Sequence, residues 1–209
     1  MVGKGRPSTQ QGSRIPSYLV PYLKARRRNE LGVRPLLWED RRAQEVRFEA
    51  ILRNCPMDGL HILDVGCGHG DLLTYLRSRE VFPGQYTGIE APSAGGRFAG
   101  LHPREGVRMV AADFVRAPEV LEVGADAVVF SGSLNLLPSR QFYRTLRAAW
   151  AATGRYLAFN FLDSPALTGA RWLKWHRRET VLAFAKRSSK RVIVDHSYEE
   201  GDCTMVMCR

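Results

Sequence analysis

The stretch HILDVGCGHGDLLTYL, residues 61–76, decides the fold. Ile62 to Val65 is an apolar run of the kind that forms a strand buried in a sheet, interrupted by one acid, Asp64. Gly66, Gly68 and Gly70 follow at alternate positions, and Asp71-Leu72-Leu73 then opens a segment of helical periodicity. Glycines in such a turn accept positive φ and let a ligand come close to the backbone, while the free N–H groups of a helix N-terminus face the same point. The spacing narrows the ligand. A dinucleotide turn reads G-x-G-x-x-G and aims its helix dipole at a pyrophosphate. Here the pattern is D-x-G-x-G-x-G, with the carboxylates of Asp64 and Asp71 on either side, which repel a pyrophosphate and suit a ligand with cationic groups.

Working outward, strands and helices alternate. Strands are predicted over residues 61–65, 85–90, 107–111, 125–130 and 155–161, with helical segments over 71–78, 118–122 and 139–152 between them and a loop or short helix over 92–101. This alternation implies right-handed crossovers and a mostly parallel sheet with helices on both faces. An amphipathic helix over 38–54 precedes the first strand, ended by the Asp58-Gly59 turn. After the alternation comes a helix over 173–185 and two strand-like runs, 191–197 and 203–208, whose short link permits only antiparallel pairing. The expected fold is therefore α/β and Rossmann-like: a seven-stranded, mostly parallel sheet with an antiparallel C-terminal strand.

A chain of 209 residues, 44% hydrophobic and 25% charged, suits one soluble domain with an appendage. No apolar run approaches the roughly 18 residues of a membrane span, so no membrane partner is expected. Cys55, Cys67, Cys203 and Cys208 lack metal-ligand spacing, so no metal is expected and a reducing, cytoplasmic setting is. The net charge of +10 is concentrated: residues 1–34 carry eight Lys or Arg against the single acid Glu30. With Pro7, Pro16, Pro21 and Pro35 spread through it, the segment 1–35 reads as a flexible basic arm, with 36–209 as the folded domain. Such an arm is suited to nucleic acid or to targeting.

LDVGCGHGDLL resembles motif I of the class I S-adenosylmethionine-dependent methyltransferases, in particular small bacterial ones of unassigned substrate, and further motifs follow in the order of that family. YTGIE, ending at Glu90, is similar to the second-strand motif; AADF, with Asp113 and Phe114, to the motif after the third strand; ADAVVFSGSLNLL to the fourth strand and its loop. The resemblance covers roughly residues 38–209 and implies S-adenosylmethionine as cofactor. It places Asp64, Gly66, Cys67, Gly68 and Gly70 around the cofactor, Glu90 on the ribose hydroxyls, Asp113 on the adenine amine, Phe114 beside the ring, and Ser131 in the loop that carries cofactor and substrate contacts. Chemistry agrees: vicinal hydroxyls and an exocyclic amine are donors best met by carboxylates, and strand carboxyl ends are where open α/β sheets bind ligands.

The acceptor is less legible. Ser131-Gly-Ser-Leu-Asn135 departs from the N/D-P-P-Y/F loop of amino-methylating enzymes acting on nucleobases or glutamine, and no Pro-Cys nucleophile follows the fourth strand. Gln44, Arg47 and Phe48 resemble a Q-x-x-R-F element of small methyltransferases, which would put Arg47 on the methionine carboxylate of the cofactor. Asn135, His196 and Tyr198 are the candidates for orienting or deprotonating an acceptor. TGARWLKWHRRE, residues 168–179, interleaves Trp and Arg on the expected helix and could stack bases and hold phosphates. Three functions are thus expected in order: methyl transfer to a small molecule, methyl transfer to RNA through the basic arm and the Trp/Arg helix, and a non-catalytic binding protein of the same fold.

Overall fold

The computed structural model describes residues 15–27, 40–92, 106–165 and 171–209. Its centre is a sheet of seven strands: β1 (His61–Val65), β2 (Gln85–Glu90), β3 (Val107–Ala111), β4 (Ala127–Phe130), β5 (Tyr156–Leu162), β6 (Arg191–Asp195) and β7 (Asp202–Cys208), in the order β3-β2-β1-β4-β5-β7-β6. β3, β2, β1, β4 and β5 pair in parallel, whereas β7 runs antiparallel to both β5 and β6. The expected sheet is the observed one. The order reverses between β1 and β4, so the loops after these two strands diverge and leave a crevice at their carboxyl ends.

Strand side chains alternate between two cores. Leu63 and Val65 of β1 enter the one that also takes Phe142 and Leu146 of α4 (Ser139–Ala152) and Val181 and Phe184 of α5 (Arg178–Ser188). Ile62 enters the other, with Phe48 and Ile51 of α2 (Arg41–Asn54) and Leu72 and Leu76 of α3 (Asp71–Ser78). This period of two, buried on both faces, is why ILDV reads as a continuous apolar run. α2 begins three residues later than its periodicity suggests, because the Asp40 carboxylate caps it by accepting from Ala43 N–H at 2.7 Å.

Two expectations fail. Within the arm expected to be flexible, residues 17–27 fold: a 3-10 turn Ser17–Leu19 leads into α1 (Val20–Arg27), and Tyr18 and Leu19 are buried in the α4–α5 core. Pro21 is tolerated because it falls in the first helical turn, where its missing N–H has no intrahelical partner to lose. Secondly, the helix expected from residue 173 begins only at Arg178. The preceding stretch is held extended: His176 N–H donates to Leu162 O at 2.8 Å, Lys174 N–H to Asn135 O at 2.7 Å, and the buried His176 ring stacks on Phe142 at 3.9 Å. Trp172 and Trp175 therefore sit exposed on an irregular segment, off any helix. The segment over 118–122 is a 3-10 turn, Pro118–Leu121, and all but the start of the expected 92–101 loop lies outside the described residues. Among the described residues no helix is long and apolar enough to cross a membrane.

Candidate functional site

The crevice between β1 and β4 opens into a cleft of about 940 Å³ counted out to its mouth. Its first wall is the glycine turn. Gly66, Gly68 and Gly70 have φ of 76°, 55° and 81°, and Gly66 and Cys67 N–H both donate to Ile89 O, at 2.8 and 3.0 Å, which pins the turn to β2. A Cβ on Gly66 would lie 2.3 Å from Ser133 Cβ, and the Ser133 hydroxyl donates to Val65 O at 2.6 Å. The glycine is thus required by close approach of the β4 loop as well as by its φ. Cys67 is buried in the turn, and its Sγ would be 2.8 Å from a Cβ on Gly88; burial pushes its thiol well up, so it stays protonated and fills space.

Three carboxylates line the cleft, one at or just beyond each of the first three strand ends. Asp64 is buried; burial raises its pKa to about 7, against the lowering effect of the Tyr86 hydroxyl, which donates to its Oδ2 at 2.5 Å. Glu90 accepts Gly68 N–H on Oε2 at 2.9 Å and Ala91 N–H on Oε1 at 2.7 Å. Burial raises its pKa and these two bonds lower it. Each of its oxygens still has a second lone pair. Asp113 accepts Val115 N–H at 3.0 Å and the Tyr18 hydroxyl at 3.0 and 2.8 Å on its two oxygens. Phe114 beside it is buried edge-on against Phe130, with ring centroids 5.8 Å apart.

The fourth wall is the loop after β4. Gly132 N–H donates to the fully buried Asn160 Oδ1 at 2.7 Å, and Asn160 Nδ2 to the Ser131 hydroxyl at 3.4 Å, so a β5 side chain fixes the loop. Asn135 lies deeper, only 8% exposed, and its Oδ1 is buried with no hydrogen-bond partner among the described residues. Leu136, Leu137 and Leu173 continue this wall. Tyr18, Leu19 and Tyr22 close the cleft on one side, and Gln44 and Phe48 of α2 on another; Gln44 Nε2 donates to Asp71 Oδ2 at 3.0 Å.

Of the residues expected at the site, Asp64, Gly66, Cys67, Gly68, Glu90, Asp113, Phe114, Ser131 and Asn135 thus share one cleft, and Gly70 N-caps α3 just behind it. Arg47, His196 and Tyr198 do not line it. The Arg47 guanidinium is spent on Asp202, with Nε and Nη2 at 2.7 and 2.5 Å from Oδ2, and ties α2 to β7. The Tyr198 hydroxyl donates to the same Asp202 and contacts Thr204 Oγ1 at 2.9 Å. His196 is exposed, in a separate polar cleft with Arg42, Asp163 and Arg178. Sequence alone missed Tyr18, Leu19 and Tyr22. Their signal was present: the apolar residues of SYLVPYLKA recur at one- and four-residue spacings, masked by two prolines and the surrounding charge.

No protein-family model matches the chain, and no curated protein matches it in sequence. Solved structures do. The S-adenosylhomocysteine complex of DhpI superposes with a TM-score of 0.64 at 17% identity, covering 92% of this chain and 94% of that one. Magnesium protoporphyrin IX methyltransferase (ChlM) from Synechocystis PCC 6803, with bound S-adenosylhomocysteine, gives 0.58 at 13%, covering 88% and 92%. The 1,6-didemethyltoxoflavin-N1-methyltransferase of Burkholderia thailandensis gives 0.60 at 15%, covering 83% and 80%. With the sheet order and the crevice at its reversal, these likenesses show that the chain has the fold of the class I S-adenosylmethionine-dependent methyltransferases.

Proposed function

We propose that the chain is an S-adenosylmethionine-dependent methyltransferase of the cytoplasm acting on a small-molecule acceptor. The observation that carries this reading is the convergence of Asp64, Glu90 and Asp113 with Phe114 on one cleft at the point where the strand order reverses. The donor set fits the cofactor. Glu90 keeps free lone pairs for two ribose hydroxyls after fastening the turn, and Asp113, more heavily engaged on Oδ1 by Val115 and Arg116 N–H, keeps a lone pair on Oδ2 beside the Tyr18 hydroxyl for the adenine amine next to the Phe114 ring. Asp64, held near neutrality by burial, becomes a carboxylate when an ammonium group comes next to it. When bound, the cofactor supplies an electrophilic methyl group on a sulfonium. The chain's own work is then alignment and exclusion of water: the glycine turn and the β4 loop set the approach line, and Leu19, Leu136, Leu137 and Leu173 give the rest of the lining apolar surface.

The small-molecule acceptor is supported by the closure of the cleft by Tyr18, Leu19 and Tyr22 and by the likeness to a porphyrin and a toxoflavin methyltransferase. Incubation of the full chain with methyl-labelled S-adenosylmethionine and an extract of its source cells, fractionated into small molecules, RNA and protein, tests it. Label confined to the small-molecule fraction is expected. Label in RNA or protein would overturn the small-molecule acceptor, and no binding of the cofactor would overturn the whole reading.

A further inference from the structure

The two halves of the cleft differ in chemistry. The β1–β3 side carries Asp64, Glu90 and Asp113, which the reading above assigns to the cofactor. The β4 side carries Leu136, Leu137 and Leu173 around the Asn135 carboxamide. Asn135 is fixed from both directions: its N–H donates to Gly132 O at 3.2 Å and its carbonyl accepts Lys174 N–H at 2.7 Å. Its side-chain Oδ1, buried in a cleft-lining residue, has no partner among the described residues. Buried polar atoms of native proteins are rarely left so; a ligand that donates a hydrogen there completes the site.

We propose that the methyl acceptor is the uncharged exocyclic nitrogen of an arylamine, held by the Asn135 carboxamide; this rests on the methyltransferase reading. An amide oxygen orients a donor but does not remove its proton near neutral pH. A hydroxyl nucleophile bound to it would stay protonated and weak. An arylamine nitrogen, uncharged near neutral pH, donates its N–H to Oδ1 and keeps its lone pair for the methyl group, whereas an alkylammonium ion has no lone pair to give. The charged side chains lining the cleft among the described residues are all acids, so an anionic acceptor is repelled. The three leucines suit the faces of a planar ring. In the transfer the nitrogen lone pair forms the N–C bond while the methyl C–S bond breaks, its electron pair staying on sulfur. The N-methyl product carries one positive charge and then loses the N–H proton to water.

Asn135→Leu, of similar volume, tests the assignment through binding, stability and product chemistry together. The variant is expected to bind S-adenosylhomocysteine within about twofold of the wild type and to melt no lower without ligand, because no protein hydrogen bond to Oδ1 is lost. Methyl transfer is expected to fall by about a hundredfold or more. With ¹³C-methyl S-adenosylmethionine and source-cell extract, the carbon shift of the wild-type product is expected to report methyl on nitrogen. A loss of roughly tenfold or more in S-adenosylhomocysteine affinity would overturn the proposal by placing Asn135 on the cofactor. So would methyl on oxygen, sulfur or carbon, or a wild-type chain that binds the cofactor and labels nothing. Failure of the wild type to bind S-adenosylhomocysteine would instead overturn the methyltransferase reading itself.

Discussion

Asp64 is the residue whose chemistry depends most on what occupies the cleft. Its pKa of about 7 lies well above that of an exposed carboxyl, and burial is the cause. Because the folded value is raised, the unfolded chain ionises first: stability falls as pH rises through roughly 4 to 7 and is constant above. An ammonium group beside Asp64 lowers that pKa. At about pH 6, binding of S-adenosylmethionine should therefore release a proton, read as a dependence of calorimetric heat on the ionisation enthalpy of the buffer. Asp64→Asn should abolish the dependence; its persistence would place the proton elsewhere. Gly66 is the second sensitive position. Alanine there must hold φ near 76° with its Cβ 2.3 Å from Ser133 Cβ, so Gly66→Ala should lower the melting temperature and weaken S-adenosylhomocysteine binding by roughly tenfold or more. Unchanged melting would mean that the β4 loop shifts freely, contrary to its anchoring by Asn160. Both residues stand out in the sequence, because an acid within an apolar run and glycines at alternate positions are local signals. Their partners, Tyr86 on Asp64 and Ile89 O on Gly66 N–H, come from another strand and leave no such signal.

Among the elements, the join between α2 and β7 carries the clearest energetic consequence. Arg47 and Asp202 form an ion pair with side chains 8% and 0% exposed, and burial raises the Asp202 pKa against the pull of Arg47. Removing one partner leaves a buried charge uncompensated, so Asp202→Ala should cost about 3–5 kcal/mol in denaturant unfolding, whereas a cost under about 1 kcal/mol would mean that the pair is solvated. The sequence placed Arg47 on the cofactor because a motif gives the position of a residue on a helix but not the strand it meets 155 residues later. The same limit explains the two mistaken elements. Residues 17–27 carry enough apolar surface to fold only against the α4–α5 core, which local composition does not reveal. The 173–177 stretch has helical composition, yet tertiary contacts override it: the His176 ring on Phe142 and two backbone bonds hold it extended. By contrast, the parallel strands were legible, since burial on both faces writes itself as unbroken apolar runs, and so was the final hairpin, because its link is too short for any other pairing.

For the molecule as a whole, the N-terminal segment joins what the sequence separates into arm and domain. The Tyr18 hydroxyl reaches Asp113 across 95 residues of chain, and Tyr18, Leu19 and Tyr22 form part of the cleft. Deleting residues 1–27 should therefore weaken S-adenosylhomocysteine binding by about tenfold or more. A dispensable basic tail would leave it unchanged at low and high salt alike. The positions of the carboxylates follow from topology: parallel strands deliver their ends to one edge, and the order β3-β2-β1-β4-β5 opens a crevice in the middle of it. Asn135, Leu173 and the N-terminal segment come together in the cleft only through packing, so the residues proposed for the cofactor were legible in the sequence and the rest of the lining was not. The central claim is that this crevice is an S-adenosylmethionine site gripped by Glu90. Calorimetric titration of the full chain with S-adenosylhomocysteine should show one saturable site, lost or weakened about a hundredfold in Glu90→Ala; no saturable heat, or the same affinity in both proteins, would contradict it.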